Sequence, residues 1–221
     1  MTSSKESVIE HLQPLTTTIK QRFVSDFTGN DDTFRDILTY HWTLNGTNTS
    51  GMLDEINGGY EITPAAGQNV ILYTNNIRQF NYNASAFIVS TSAHGGNPNR
   101  AECSFGFSGS NEFSGIPVGS ESKACFEQDS IYNYFSGCTS QGTGETITAL
   151  GTFTFYDGNL HICKGETKAS SCEFSHAGIL GCVITSNLPD SKMQPAYEVR
   201  NIGAGTDGAK GRIHYFEAWN T

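Results

Sequence analysis

Short stretches rich in β-branched and aromatic residues recur along most of the chain, and many of them are bounded by Gly, Asn or Ser. Such apolar or alternating runs of about four to eight residues predict β-strands. The clearest predicted strands are QNVILY (68–73), ASAFIVST (84–91), AECSFGFS (101–108), TITALGTFTFY (146–156), NLHICK (159–164), ILGCVIT (179–185), AYEVRN (196–201) and GRIHYFEAW (211–219). A Tyr-Asp-Gly-Asn stretch at 156–159 predicts a hairpin, and GCTSQGTG (137–144) a long loop at the rim. Many short strands and little helical periodicity predict an all-β chain folded as an antiparallel jelly-roll β-sandwich.

The N-terminus has a different pattern. Ser3 followed by Glu6 fits a capping box, and Val8, Ile9 and Leu12 lie on one face of the short helix that it begins. Isolated helices shorter than about 12–15 residues are marginal in water, so this apolar face needs a cover. The cover is the chain's own body, a sister subunit or another protein.

This change of pattern predicts two units. Residues 1–22 form an N-terminal attachment arm with a short helix, and residues 23–221 form the jelly-roll domain. We expect Val8, Ile9 and Leu12 to serve attachment or oligomerisation, and the chain to be a homo-oligomer.

Composition and charge exclude several partners. The 221 residues carry a net charge of −9, and the Lys and Arg residues are scattered. Binding to a nucleic-acid backbone needs clustered cations, so we expect no nucleic-acid partner. No apolar run follows Met1, and the longest apolar stretches are far too short to cross a bilayer. We therefore expect synthesis in the cytoplasm without a signal peptide and no membrane partner.

The sequence also contains six cysteines, none of them in a C-x-x-C pair. They are Cys103, Cys125, Cys138, Cys163, Cys172 and Cys182. Three alternatives stay open: small buried apolar side chains, disulfides formed outside the cell, and zinc ligands. We expect at least one disulfide, no metal site and no cofactor. The acidic stretches NDD (30–32) and LDE (53–55) leave Ca²⁺ as an alternative.

The stretch FEQDSIY (126–132) is similar to the opening of a glycosidase acid/base strip. On a strand, Glu127 and Asp129 share one face with Ile131. A retaining glycosidase needs a second carboxyl group about 5–5.5 Å from the first, and here Ile131 or Tyr132 fills its place. The preferred interpretation is a surface loop, with a degenerate site as the alternative. We therefore predict no catalytic residue and a non-enzymatic protein.

Aromatic residues beside amides and charges are the candidates for a glycan site. FNYN (80–83), IYNYF (131–135) and AYEVRN (196–201) have this pattern. The predicted glycan-binding residues are Tyr82, Tyr132, Tyr134, Tyr197 and Arg200. Core packing is the alternative role for the aromatic rings.

Two stretches resemble the ends of concanavalin A-like, laminarinase-type jelly rolls. SDFTGNDDTFRDILTYHWT (25–43) is similar to the first strand of that family, through Asp26, Phe27, Gly29, Trp42 and Thr43. RIHYFEAWNT (212–221) is similar to its last strand, through Tyr215 and Trp219. The resemblance implies that the two ends of the domain lie side by side.

A second resemblance is to structural proteins of marine bacteriophages and other viruses. TTTIKQRFVSDFTG, NGGYEIT and NNIRQF carry it, with the clearest match at Asn76, Ile77, Arg78, Gln79 and Phe80. It implies a virion protein, either a capsid decoration, a short fibre or a tail-associated attachment protein, with other virion proteins as partners. The alternative is a lectin-like module that binds a host-surface glycan, or an inactive relative of a laminarinase-type glycoside hydrolase. An active polysaccharide depolymerase is the third alternative.

Overall fold

The computed structural model describes residues 21–26, 42–46, 53–56, 59–74, 80, 83–94, 101–109, 122–128, 135–150, 159–201 and 209–220. Within these ranges the chain forms fifteen strands: β1 (Gln21–Asp26), β2 (Trp42–Gly46), β3 (Leu53–Ile56), β4 (Gly59–Ile62), β5 (Gln68–Thr74), β6 (Ala84–His94), β7 (Ala101–Ser108), β8 (Lys123–Gln128), β9 (Phe135–Gln141), β10 (Gly144–Ala149), β11 (His161–Thr167), β12 (Cys172–His176), β13 (Ile179–Ile184), β14 (Gln194–Asn201) and β15 (Ala209–Asn220). Each of the eight predicted strands overlaps one of them.

The strands form two sheets, and neighbouring strands run antiparallel in both. Sheet A has the order β13-β12-β11-β6-β15-β4-β3, with β1 also paired to β15. Sheet B has the order β10-β9-β8-β7-β14-β5-β2. The described residues contain no helix, and none of their segments is a helix long and apolar enough to cross a membrane. The prediction of an all-β antiparallel sandwich is confirmed.

The two ends of the predicted domain lie side by side, as the first resemblance implies. Gln21 pairs with Asn220, and Asp26 pairs with Tyr215. Trp42, on the facing sheet, packs edge-on against the ring of Phe216 at 5.4 Å between centroids. Residues 21 and 22 belong to β1, so the sheet begins inside the predicted arm. The rest of the arm, including Val8, Ile9 and Leu12, lies outside the described residues.

An aromatic core fills the space between the sheets. Phe126 stacks on Phe105 and on Phe135, with 5.3 Å between ring centroids in each pair. Phe174 of sheet A meets Phe126 edge-on at 5.2 Å. All four rings are at most 1% exposed. Because successive side chains on a strand point to opposite faces, this packing turns Glu127 away from the core.

Two sequence interpretations are wrong at the β10 end of sheet B. The stretch 137–144, predicted as a rim loop, is most of β9 and the start of β10, joined by a tight turn with Gly142 at φ 55°. The start of FEQDSIY, predicted as a surface loop, is the end of β8, which is paired on both sides. Small and polar residues in these strands give a weak strand signal, and the pairing with neighbours decides. The predicted hairpin at 156–159 lies almost wholly outside the described residues.

A buried carboxylate, Glu61, pairs with two exposed cations on sheet A. Its carboxylate accepts hydrogen bonds from Lys210 Nζ at 2.8 Å and from Arg212 Nε at 2.6 Å, and its side chain is 9% exposed. Burial alone raises the pKa of Glu61, but the hydrogen bonds from the two cations outweigh it and hold the pKa below its usual value. A carboxyl group with a lowered pKa stabilises the fold above its unfolded-state pKa, and this contribution is lost as the pH falls through the folded-state pKa.

Replacing Glu61 with Gln is expected to lower the free energy of unfolding by about 1–3 kcal/mol at neutral pH, because two cations lose their anionic partner. The difference from the original chain should be smaller at about pH 3 than at neutral pH, because the stability from a carboxyl group with a lowered pKa is lost as the pH falls. Urea unfolding at both pH values measures it. Glu173→Gln is the control, since Glu173 pairs with Lys168 at an exposed position and should cost less than about 1 kcal/mol. An equal loss at both pH values would contradict the assignment.

Candidate functional site

Polar side chains cross the outer face of sheet B, which is the face turned away from sheet A. Ser104 on β7 lies directly opposite Glu127 on β8 and opposite Glu198 on β14. Glu127 is also paired with Ser136 on β9. Directly paired residues share one face of a sheet, so Glu198, Ser104, Glu127 and Ser136 form one continuous line, which we call the central row.

Glu127 is the accessible carboxylate of the central row. Its side chain is 24% exposed, and its Oε2 atom is 3.6 Å from Lys123 Nζ. That oxygen is buried and accepts no hydrogen bond from the residues that the structure describes. Burying a carboxylate oxygen without a hydrogen bond is costly, and such groups are concentrated at sites that bind or react. Glu127 therefore has a lone pair available for a ligand.

Glu198 is the second carboxyl group of the central row. It is 2% exposed, and Asn69 Nδ2 donates a hydrogen bond to it at 3.0 Å. Glu198 and Glu127 are separated by one strand, and two strand spacings correspond to about 9.5 Å between their Cα atoms. In the next row, Arg200 lies opposite Glu102, and their side chains are 3.4 Å apart. The outer face thus combines carboxylates, an amide and a guanidinium group, which suit the hydroxyl groups of a sugar.

A lysine and two thiols lie beside Glu127. Lys123 forms ion pairs with Glu145 and with Glu127, and its side chain is only 6% exposed. Cys125 and Cys138 are direct partners on β8 and β9. Burial alone lowers the pKa of Lys123, but the nearby Cys125, Cys138 and Glu127 groups and the hydrogen bond to Glu145 raise it above its usual value. We call these five residues the lysine–thiol cluster.

All six cysteines are free and buried, so the expected disulfide does not occur. Cys103, Cys163, Cys172 and Cys182 lie in the core between the sheets. Burial raises the pKa of Cys103 and of Cys172 to about 12. These four thiols act as small apolar side chains, which was one of the alternatives left open by the sequence.

The structure separates the predicted glycan residues. Arg200 lies on the outer face, but Tyr197 is fully buried in the core and stacks on Phe105 at 5.7 Å. The two positions are three apart on one strand, so their side chains point to opposite faces. The placement of Tyr197 leaves its ring no surface for a sugar. Several predicted positions lie outside the described residues: Tyr82, Asp129, Ile131, Tyr132 and Tyr134.

Sequence reasoning missed Glu198, Lys123 and the pairing of Cys125 with Cys138. The alternation in AYEVRN contained the signal for Glu198, because it places Glu198 on the face opposite Tyr197 and Val199. The residue pattern gave no signal for Lys123 or for the pairing of Cys125 with Cys138, since both depend on which strands are neighbours.

The sequence matches no protein-family model and no curated protein. Solved structures with the same fold are nevertheless found. A Bacillus licheniformis β-glucanase is 12% identical with a TM-score of 0.62, and the match covers 90% of this chain and 98% of that one. A prokaryotic β-1,3-1,4-glucanase (lichenase) from a mouse hindgut metagenome is 11% identical with a TM-score of 0.62, covering 90% and 99%. The Crh5 transglycosylase, solved in complex with NAG, is 13% identical with a TM-score of 0.60, covering 90% and 84%.

These similarities confirm the concanavalin A-like jelly-roll fold, which this chain shares with glycoside hydrolases. They also overturn the prediction of a non-enzymatic protein, because the structural neighbours are described as glucanases and a transglycosylase. They support the alternative of a laminarinase-type relative over the main prediction of a virion structural protein. The phage resemblance stays a prediction, since none of the neighbours named here is described as viral.

Proposed function

We propose that this chain is a glycoside hydrolase that cleaves a β-glucan on the outer face of sheet B. The observation that carries the proposal is the Glu127 carboxylate, which is 24% exposed and whose Oε2 atom accepts no hydrogen bond within the described part of the chain. The jelly-roll fold shared with β-glucanases supports the choice of substrate. At 11–13% identity this similarity concerns the fold, so the activity rests on the residues of the outer face.

Hydrolysis of a glycosidic bond needs two carboxyl groups, one to protonate the leaving oxygen and one to attack or to activate water. We assign Glu127 to the second role, because the Lys123 ammonium group lies 3.6 Å from its carboxylate. Residue 131 cannot supply the other carboxyl group, since it is Ile. We assign that role to Glu198, which lies on the central row. The two Cα atoms are about 9.5 Å apart, and Ser104 lies between the two glutamates on the central row.

The remaining polar groups of the outer face would bind the sugar. Asn69 hydrogen-bonds Glu198 and orients its carboxyl group. Arg200 and Glu102 provide donors and acceptors one row away, and the Arg200 side chain is 41% exposed. Arg200, one of the predicted glycan-binding residues, would act in this proposal as a hydrogen-bonding residue beside the carboxylates.

The full chain, incubated with β-1,3-1,4-glucan and separately with β-1,3-glucan, should release new reducing ends. A reducing-sugar assay and mass spectrometry of the products measure the release. Glu166→Gln is a matched control, because Glu166 lies on sheet A and pairs with Lys164. It should leave turnover unchanged. A folded chain that releases no product from either glucan would contradict the proposed substrate class.

The virion enters this proposal only as the place where the hydrolase would be located. A hydrolase of this type, attached to a particle through residues 1–22, would act on a host-surface glycan. The N-terminal arm, the virion partners and the homo-oligomer stay predictions.

A further inference from the structure

Three metal-ligating atoms come together beside the central row. The Sγ atoms of Cys125 and Cys138 and a carboxylate oxygen of Glu127 all lie within 4.8 Å of one another. The register of the sheet causes this, because Cys125 and Cys138 are direct cross-strand partners and Glu127 follows Cys125 on the same face. Both thiols are fully buried, so they cannot turn towards solvent.

A fourth donor adjoins this group. The Cys138 thiol donates a hydrogen bond to Glu145 Oε1 at 3.5 Å. Glu145 lies on β10 with a side chain that is 46% exposed, so it borders the solvent side of the group. Two sulfur and two carboxylate donors are a set that Zn²⁺ accepts in tetrahedral geometry. Tetrahedral Zn²⁺ holds such donors roughly 3.3–3.8 Å apart, so side-chain rotations of about 1 Å would close the site.

A positively charged side chain, Lys123, already lies at this position. The Lys123 ammonium group contacts Glu145 and lies 3.6 Å from Glu127, with a side chain that is 6% exposed. It forms ion pairs with both carboxylates within the described part of the chain. The thiols and carboxylates around the buried lysine are therefore arranged to surround a cation. A divalent metal would compete with the ammonium group for these donors.

We propose that Cys125, Cys138, Glu127 and Glu145 bind one thiophilic divalent cation, such as Zn²⁺, in exchange for the Lys123 ammonium group. Each thiol releases its proton to solvent when its sulfur binds the metal. Thiolate ligands select Zn²⁺ and similar ions over Mg²⁺ and Ca²⁺. If the proposed function holds, the metal occupies Glu127 and so inhibits the hydrolysis of glucan.

Titration of the reduced, metal-free full chain with Co²⁺ tests the site without any substrate. We expect one Co²⁺ per chain, with the sulfur-to-metal charge-transfer bands and the intense visible absorption of a tetrahedral site, and displacement by added Zn²⁺. Cys138→Ser should abolish these bands. Cys182→Ser is the matched control, since this buried thiol lies in the core between the sheets and should leave them unchanged.

A second variant tests the competition with the lysine. Lys123→Met keeps an apolar stem of similar length and removes the competing charge, so the affinity for Co²⁺ should rise by about tenfold or more. Circular dichroism shows whether each variant is folded. The absence of sulfur-to-cobalt bands in the original chain, or bands that persist in Cys138→Ser, would overturn the proposal. Because the readout is optical, failure of the metal site is distinguished from failure of the hydrolase assignment, which the glucan assay tests by itself.

Discussion

Glu127→Gln is expected to reduce the turnover of β-glucan by about 10³-fold or more, equivalent to about 4 kcal/mol of transition-state stabilisation. Gln has nearly the same size as Glu but can neither attack as an anion nor accept a proton from water. Glu145 remains to pair with Lys123, so the lysine keeps a counter-ion. The variant should therefore stay folded while it loses activity.

Initial rates from the reducing-sugar assay give kcat, and thermal melting followed by circular dichroism gives the stability. Glu198→Gln should also lower kcat, because it removes the second carboxyl group of the central row. Glu166→Gln, on sheet A, should have the same kcat as the original chain. Full activity in Glu127→Gln would remove the carboxylate from the mechanism and with it the basis of the proposed function.

Phe126→Ala is expected to lower the free energy of unfolding by about 3–5 kcal/mol, the usual cost of deleting a fully buried aromatic ring. Phe126 stacks on Phe105 and Phe135 within sheet B and meets Phe174 of sheet A edge-on. Its removal thus opens a cavity at the contact between the sheets. For a chain of this length the midpoint of thermal unfolding should fall by roughly 6–20 °C.

Thermal melting and urea unfolding of the same samples measure this loss. Ile147→Ala is the control, because Ile147 also lies on sheet B but is 49% exposed. It should change the free energy of unfolding by less than about 0.5 kcal/mol. A loss of under about 1 kcal/mol in Phe126→Ala would contradict the central place of this ring in the core.

Strand positions were predictable where apolar and polar side chains alternate along the strand. In AYEVRN, Tyr197 and Val199 point into the core while Glu198 and Arg200 point outward, and the letters alternate accordingly. The fold class followed from many such segments. The prediction failed at β8 and β9, since strands buried on both faces or built from small polar residues lack this alternation.

The candidate site was only partly predictable for a related reason. The spacing within a segment relates only the residues of that segment to one another. It singled out Glu127 and pointed to residue 131 as the position of the second carboxyl group. Glu198 became its partner through β7, which lies between β8 and β14 although β14 is distant in the chain. The glycan prediction failed to separate Tyr197 from Arg200, because it grouped neighbours in sequence that point to opposite faces.

The sequence by itself determined the class of fold, the strand segments with clear alternation and the Glu127 carboxylate as a feature of interest. These depend on local spacing, which the period of two along a strand makes readable. Only the tertiary structure decided that Glu127 faces the outer surface of sheet B, that Glu198 shares its row, and that Cys125 and Cys138 are partners. Those facts depend on strand order and register, which are set by the burial of rings such as Phe126 between the sheets rather than by any short run of residues.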